Sequence, residues 1–165
     1  MAKFPTAMES ATTVAVPIAR VYAMLWDVVG SSSCIPGLAR CTRVGPQTYA
    51  FAYREVSLAG VSMAVRYTTR YEGDGERVIR FTSVDAPEDN TEVDGELRLE
   101  SVGDGTRIAL RQTLAPNTPV PALLQRMVKS VAEREADRVA NRYMQNLKQA
   151  LERAEPAKRT KGTKA

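Results

Sequence analysis

Few side chains in this sequence are equipped for chemistry. There is no histidine, and both cysteines, Cys34 and Cys41, fall in one segment, SSSCIPGLARC. A zinc site needs about four ligands, and two thiols without an imidazole do not supply them. The Cys-x6-Cys spacing is not that of a redox pair. Between the cysteines, Pro36 can end a helix and Gly37 supplies backbone freedom, so the segment reads as a turn. Two thiols without chemistry, no metal and no cofactor are expected.

Two carboxylates sit where apolar residues belong. Glu55 has the parity of Phe51 and Tyr53 on one strand, and Glu135 lies four residues from both Val131 and Val139 on a helical stripe. A buried carboxylate must pair, hydrogen-bond or take up a proton. Turned inward, Glu135 would bind an amine or hydroxyl, or act as an acid or base with a raised pKa. Read within Glu133-Arg134-Glu135-Ala136-Asp137-Arg138, it belongs instead to a solvated run of salt bridges. Glu55 either enters the interior or stops at the rim. With no Ser-His-Asp set, an enzyme here would have to work with Glu, Tyr and Arg alone, so the residues point to binding rather than catalysis.

These side chains need a scaffold, and 165 residues suffice for one domain with a core and a modest cavity. The opening MAKFPTAMES lacks the apolar stretch of a secretory signal, and no run approaches the roughly 18 apolar residues of a membrane span. A soluble cytoplasmic protein is expected. Lys158, Arg159, Lys161 and Lys164 account for the whole net charge of +4. The body is therefore balanced, which argues against specific nucleic-acid binding. Residues 153–165 are predicted to be a disordered basic tail, open to weak contact with anionic lipid.

The elements follow from periodicity. A strand over 8–16 precedes Pro17 and a short amphipathic helix with Val21, Leu25 and Val28 at helical spacing. Gly30 stops it, and a second short helical turn ends at Pro36-Gly37. Six strands follow, over 38–44, 48–56, 61–72, 77–84, 93–102 and 107–114, alternating apolar with charged residues. That pattern fits an antiparallel sheet with one wet and one buried face. The two Gly-Asp-Gly segments join alternating strands and read as hairpin turns rather than phosphate or calcium loops. A helix over 120–152, roughly 50 Å long, closes the domain of residues 1–152 and must bury its stripe against the sheet.

The element order, together with VAVPIARVYAMLWDV, SSSCIPGLARCTRV and the helix after a Pro-rich loop, resembles the helix-grip fold of the START-like (SRPBCC) superfamily. The class is α+β: a seven-stranded antiparallel sheet curved around a long C-terminal helix, with two short helices after strand 1. Cys-Ile-Pro-Gly is similar to a turn of the superfamily's carbon monoxide dehydrogenase accessory branch. The resemblance implies an internal cavity for a hydrophobic small molecule, lipid- or polyketide-like. It also implies two alternatives, a polyketide cyclase/dehydratase activity and an accessory role beside an oxidoreductase.

Within such a fold, parity selects the cavity lining: Phe51, Tyr53, Glu55, Met63, Val65, Tyr67, Phe81, Leu97, Leu99 and Leu110. The helix is expected to add Leu124, Met127, Val128, Val131 and Glu135. Helix-grip order also gathers three connections at one end, residues 57–60, 85–90 and 115–119. Leu58, Ala59, Gly60, Asp85 and Pro87 are expected there as mobile gates, with Leu58 and Val120 as apolar lips.

Overall fold

The computed structural model describes residues 5–58, 60–117 and 121–163, with the side chains of Val56, Leu58, Val61, Met63 and residues 154–163 outside the description. Strand β1 (Thr6–Val14) leads through Pro17 into helix α1 (Ile18–Trp26) and the one-turn helix α2 (Val28–Ser31). A 3₁₀ turn, Ser32–Cys34, then delivers the chain to β2 (Leu38–Gly45). The meander continues as β3 (Thr48–Tyr53), β4 (Val56–Leu58), β5 (Val61–Met63), β6 (Arg66–Gly73), β7 (Val78–Ser83), β8 (Thr91–Val102) and β9 (Gly105–Pro116). A second 3₁₀ turn, Ala122–Leu124, opens helix α3 (Gln125–Thr163).

Seven strands form one antiparallel sheet in the order β1-β9-β8-β7-β6-β3-β2, while β4 and β5 pair only with each other. The short helices carry the chain from one edge, β1, to the other, β2. This is the helix-grip arrangement that the element order predicts. Among the described residues no helix is long and apolar enough to cross a membrane.

Several boundaries differ from the sequence expectation, among them β1, which spans Thr6–Val14 rather than 8–16, and the strand predicted over 48–56, which is split into β3 and β4. The strand predicted over 61–72 is two strands, because a bulge interrupts its hairpin. Ala52 faces Arg66, yet Val56 faces Met63, so three residues on one side oppose two on the other. One extra residue reverses strand parity beyond it. The final helix starts at Gln125 rather than 120, and its backbone continues past Glu152 to Thr163, through the stretch predicted to be a disordered tail.

The core lies between the sheet, α1 and the second half of α3. Val21, Leu25, Ile79, Ile108, Met144 and Leu147 are fully buried in it. Edge strand β1 would expose unpaired backbone groups, but α3 covers it. Lys148 Nζ donates to Thr13 O (2.7 Å), Ala15 N donates to Glu152 Oε2 (2.9 Å), and Ser10 Oγ donates to Asn141 Oδ1 (2.7 Å). Asn146 Nδ2 ties the same helix to Cys34 O at 2.9 Å.

Both Gly-Asp-Gly segments are hairpin turns. In the first, Gly75 has φ +83° and Asp74 Oδ1 accepts from the backbone N–H groups of Glu76, Arg77 and Val78 at 2.9, 2.8 and 3.0 Å. These bonds, that of Val78 foremost, hold the Asp74 carboxyl at about 2. Its unfolded value is about 3.9. A depressed folded pKa stabilises fully above the unfolded value and is lost as pH falls through the folded one. The difference in melting temperature between wild type and Asp74→Ala is therefore expected to shrink as pH falls from about 4 toward about 2. A difference that stays constant across that window would sever the turn from the titration.

Gly95 is demanded by packing. A Cβ there would meet the Arg111 carbonyl oxygen at 2.5 Å and the Phe81 ring at 2.7 Å. The ring is therefore laid across a strand position without a side chain. Gly95→Ala is expected to cost about 1–3 kcal/mol, measured by denaturant unfolding, since the carbonyl belongs to a paired strand. A neutral result would show that β8 and β9 can slide apart without loss.

Candidate functional site

Between the concave sheet face and the first half of α3 lie two adjoining apolar chambers that share part of their wall. The inner chamber, about 60 Å³, is walled by Phe51, Tyr53, Tyr67, Tyr71, Phe81 and Tyr143, with Met8, Ile35, Val93, Leu110, Gln112, Val139 and Ala140 completing it. The outer chamber, about 150 Å³, shares Met8, Tyr53, Gln112 and Val139 and is otherwise lined by Thr6, Val65, Leu114, Pro116, Ala132, Glu135 and Ala136. The volume has a local cause. Ala132, Ala136 and Ala140, one helical turn apart, present methyl groups where the next turns present Met144, Leu147 and Leu151. Small side chains leave the concave sheet unfilled.

Aromatic rings set the shape of the inner chamber. Phe51 stacks on Tyr67 with centroids 4.9 Å apart, and Tyr71 stacks on Phe81 at 5.4 Å. The hydroxyls of Tyr53 and Tyr67 share a hydrogen bond of 3.0 Å. Burial pushes the Tyr53 hydroxyl up to about 12 and raises those of Tyr67, Tyr71 and Tyr143 as well. All four are therefore neutral hydrogen-bonding groups at physiological pH.

Of the residues that the sequence selects, the structure brings Phe51, Tyr53, Val65, Tyr67, Phe81, Leu110 and Glu135 to the cavity wall. Leu97 and Leu99 are buried in the packed core with Ile79 and Ile108 instead. Glu55 is exposed, because the bulge after β3 cancels the parity that would have turned it inward. On α3 the prediction is too early. Leu124, Met127, Val128 and Val131 are not among the wall residues; Val128 is buried away from it, while Leu123 is 97% and Met127 50% exposed. The helix faces the cavity over residues 132–143. The side chain of Met63 lies outside the described residues.

Glu135 sits at the outer wall, where Arg138 Nε donates to it at 3.0 Å and a second guanidinium nitrogen also bonds it. That bond holds the carboxyl below its usual range, in keeping with the salt-bridged alternative. Cys34 and Cys41 are free thiols, both pushed up by burial. Gly37, at φ +76°, makes the turn that their segment predicts.

The wall also holds Met8, Gln112, Leu114, Tyr71 and Tyr143, which are not among the expected lining residues, although Leu114 and Tyr71 share the inward parity of Leu110 and Tyr67. Gln112 has the inward parity of Leu110 and Leu114, but a polar side chain gives no apolar signal. Met8 enters because β1 pairs with β9, placing it opposite Gln112, a long-range neighbour that no local period reveals.

Asn90 ties two of the three expected connections, 85–90 and 115–119, to each other and to the chain at Ala64 and Arg66. Its Nδ2 donates to Ala64 O (2.7 Å), and its Oδ1 accepts from Arg66 N (2.9 Å) and Thr91 Oγ1 (2.9 Å). Its own carbonyl accepts from Asn117 N at 2.7 Å. Asp85 and Pro87 are exposed on this tied loop and do not line the cavity. Gly60 has φ +82° at the hairpin tip. Ala59, Val120 and the side chain of Leu58 lie outside the described residues.

A seven-stranded antiparallel sheet gripping a long C-terminal helix over an apolar cavity defines the START-like class. The chain belongs to the polyketide cyclase/dehydrase and lipid transport family, which it matches over residues 5–152. Among solved structures it is similar to the Zhui aromatase/cyclase from a Streptomyces species, with a TM-score of 0.63 and 20% identity over 90% of this chain and 94% of that one. A START superfamily protein from Mycobacterium smegmatis gives 0.62 at 15% identity, covering 90% and 98%. A conserved protein from Geobacillus kaustophilus gives 0.64 at 15%, covering 93% and 97%. At these identities the likeness is one of fold. No curated protein sequence matches the chain.

Asn90→Ala removes three side-chain hydrogen bonds at the cavity end. It is expected to lower stability by about 1–3 kcal/mol and to speed release of a fluorescent apolar probe. An unchanged melting temperature with unchanged release would mean that Asn90 holds nothing together.

Proposed function

We propose that the chain binds and carries a lipid- or polyketide-like small molecule in this cavity, in the cytoplasm, without transforming it. The observation that carries the reading is the alanine ledge of α3, which keeps an aromatic and aliphatic chamber open inside an otherwise packed core. Open apolar space costs packing energy, and an apolar ligand recovers it. The chemistry of the wall agrees. Its tyrosines stay protonated and its one carboxylate is neutralised by Arg138, so each titratable lining group is moved away from neutral pH. A carrier needs no poised acid or base.

A cyclase or dehydratase activity is the second reading, favoured by the Tyr53–Tyr67 hydroxyl pair, since a buried phenol can polarise a ketone. Turnover of a polyketide mimic by the purified protein would move the assignment to it. Native mass spectrometry of protein purified from its own host tests the carrier reading directly through a co-purifying apolar molecule.

Ala136→Phe is expected to abolish binding of a fluorescent apolar probe while leaving the melting temperature within about 4 °C of wild type, roughly 1 to 2 kcal/mol for a domain of this size. The ring would occupy space that is now open. Retained binding with the cavity filled would place the ligand elsewhere.

A further inference from the structure

The start of α3 is apolar where it meets solvent. Pro121, Ala122, Leu123 and Met127 are all exposed, Leu123 at 97% and Met127 at 50%. Leu123 and Met127 stand one helical turn apart on the outward face, because buried Val128 and the chamber residues Ala132 and Ala136 take the inward one. The other exposed large apolar side chains among the described residues, Val29, Val44 and Val102, lie on three different elements. Scattered single residues of that kind are ordinary, whereas a cluster marks a contact surface.

Charge singles out the same place. From Gln112 to Ala132 the sequence carries Arg126 and Lys129 and no acid. Both cations are exposed, and neither forms an ion pair among the described residues. The first turn of α3 has no acidic residue, although the helix dipole favours anions at that end and disfavours cations. The two cations therefore stand against the field of their own helix. An external anion relieves that arrangement.

We propose that the start of α3 docks on an anionic bilayer surface, with Leu123 and Met127 entering the acyl boundary and Arg126 and Lys129 meeting lipid phosphates. Leu123 projects as a knob, and a fluid bilayer closes around a knob without needing a shaped complement. Long cationic side chains reach from an inserted apolar face back to the headgroups. The patch ends a little over one turn before Ala132, the first helix residue on the outer chamber wall. Docking there sets that chamber beside the membrane. The surface lies outside the cavity, so it stands whether or not the carrier reading holds.

Co-sedimentation of the full chain with vesicles tests this. Wild type is expected to bind phosphatidylcholine vesicles containing about 30% phosphatidylglycerol about 10-fold more tightly than vesicles of phosphatidylcholine alone. The double variants Leu123→Ser/Met127→Ser and Arg126→Gln/Lys129→Gln should each weaken binding to the anionic vesicles by about 10-fold. Their melting temperatures and their affinity for an apolar probe in the cavity should match wild type, because all four side chains are exposed and off the cavity wall. Equal affinity of wild type for the two kinds of vesicle, or for neither, overturns the proposal. So does anionic binding that survives in both variants, which would assign it to the cations beyond Arg153. A dimer that the serine variant splits, without vesicle binding, would give the face to a second copy and overturn it as well.

Discussion

The contact on which everything else depends is the clamp between the second half of α3 and the sheet. Met144, Leu147 and Leu151 are buried there, and Lys148, Glu152 and Asn141 satisfy polar groups of β1 that would otherwise be open at the sheet edge. Burying three large side chains is worth several kcal/mol, and the edge bonds fix the helix axially. Once one half is fixed, the rigid helix carries its other half across the concave face whatever stands on it. Alanines stand on it, and the result is space.

This division of labour explains why binding and stability need not compete along one helix. The clamp uses bulk and charge, and the cavity uses small side chains and aromatic walls supplied by β3, β6 and β7. Gly95 serves the same use of space. By omitting a side chain on β8 it gives the Phe81 ring its place at the wall. At the cavity end, Asn90 joins its own connection by hydrogen bonds to Ala64 and Arg66 at the start of β6 and to Asn117 after β9, so these segments are braced against one another. The bulge after β3 turns the β4–β5 hairpin out of the main ladder and carries Glu55 into solvent, so among the described wall residues the one carboxylate is Glu135, held by Arg138.

Alternation of apolar and charged residues is enough to read the antiparallel sheet, the two hairpin turns at Gly-Asp-Gly, the short helices after the first strand and the long helix at the end. Those features depend on near neighbours: period two, period 3.6, glycine at a tight turn. The same parity turns Phe51, Tyr53, Val65, Tyr67, Phe81 and Leu110 inward. Each of these stands where the strand period is uninterrupted, so local geometry dictates direction.

Only the tertiary structure decided the rest, and the reasons are specific. Parity holds until a residue is inserted, so one bulge moved Glu55 outward. A helix's apolar stripe names the face but not the level, and the axial position of α3 is set by its bonds to β1, over 130 residues away in sequence; that shift exchanged Leu124, Met127, Val128 and Val131 for Ala132, Ala136, Val139, Ala140 and Tyr143. Met8 and Gln112 face one another because the first and last strands pair, a contact with no local signature. The sequence by itself determined which surfaces are apolar; where they meet, and that alanines rather than leucines meet the aromatic strands, was decided by long-range pairing that no short window contains.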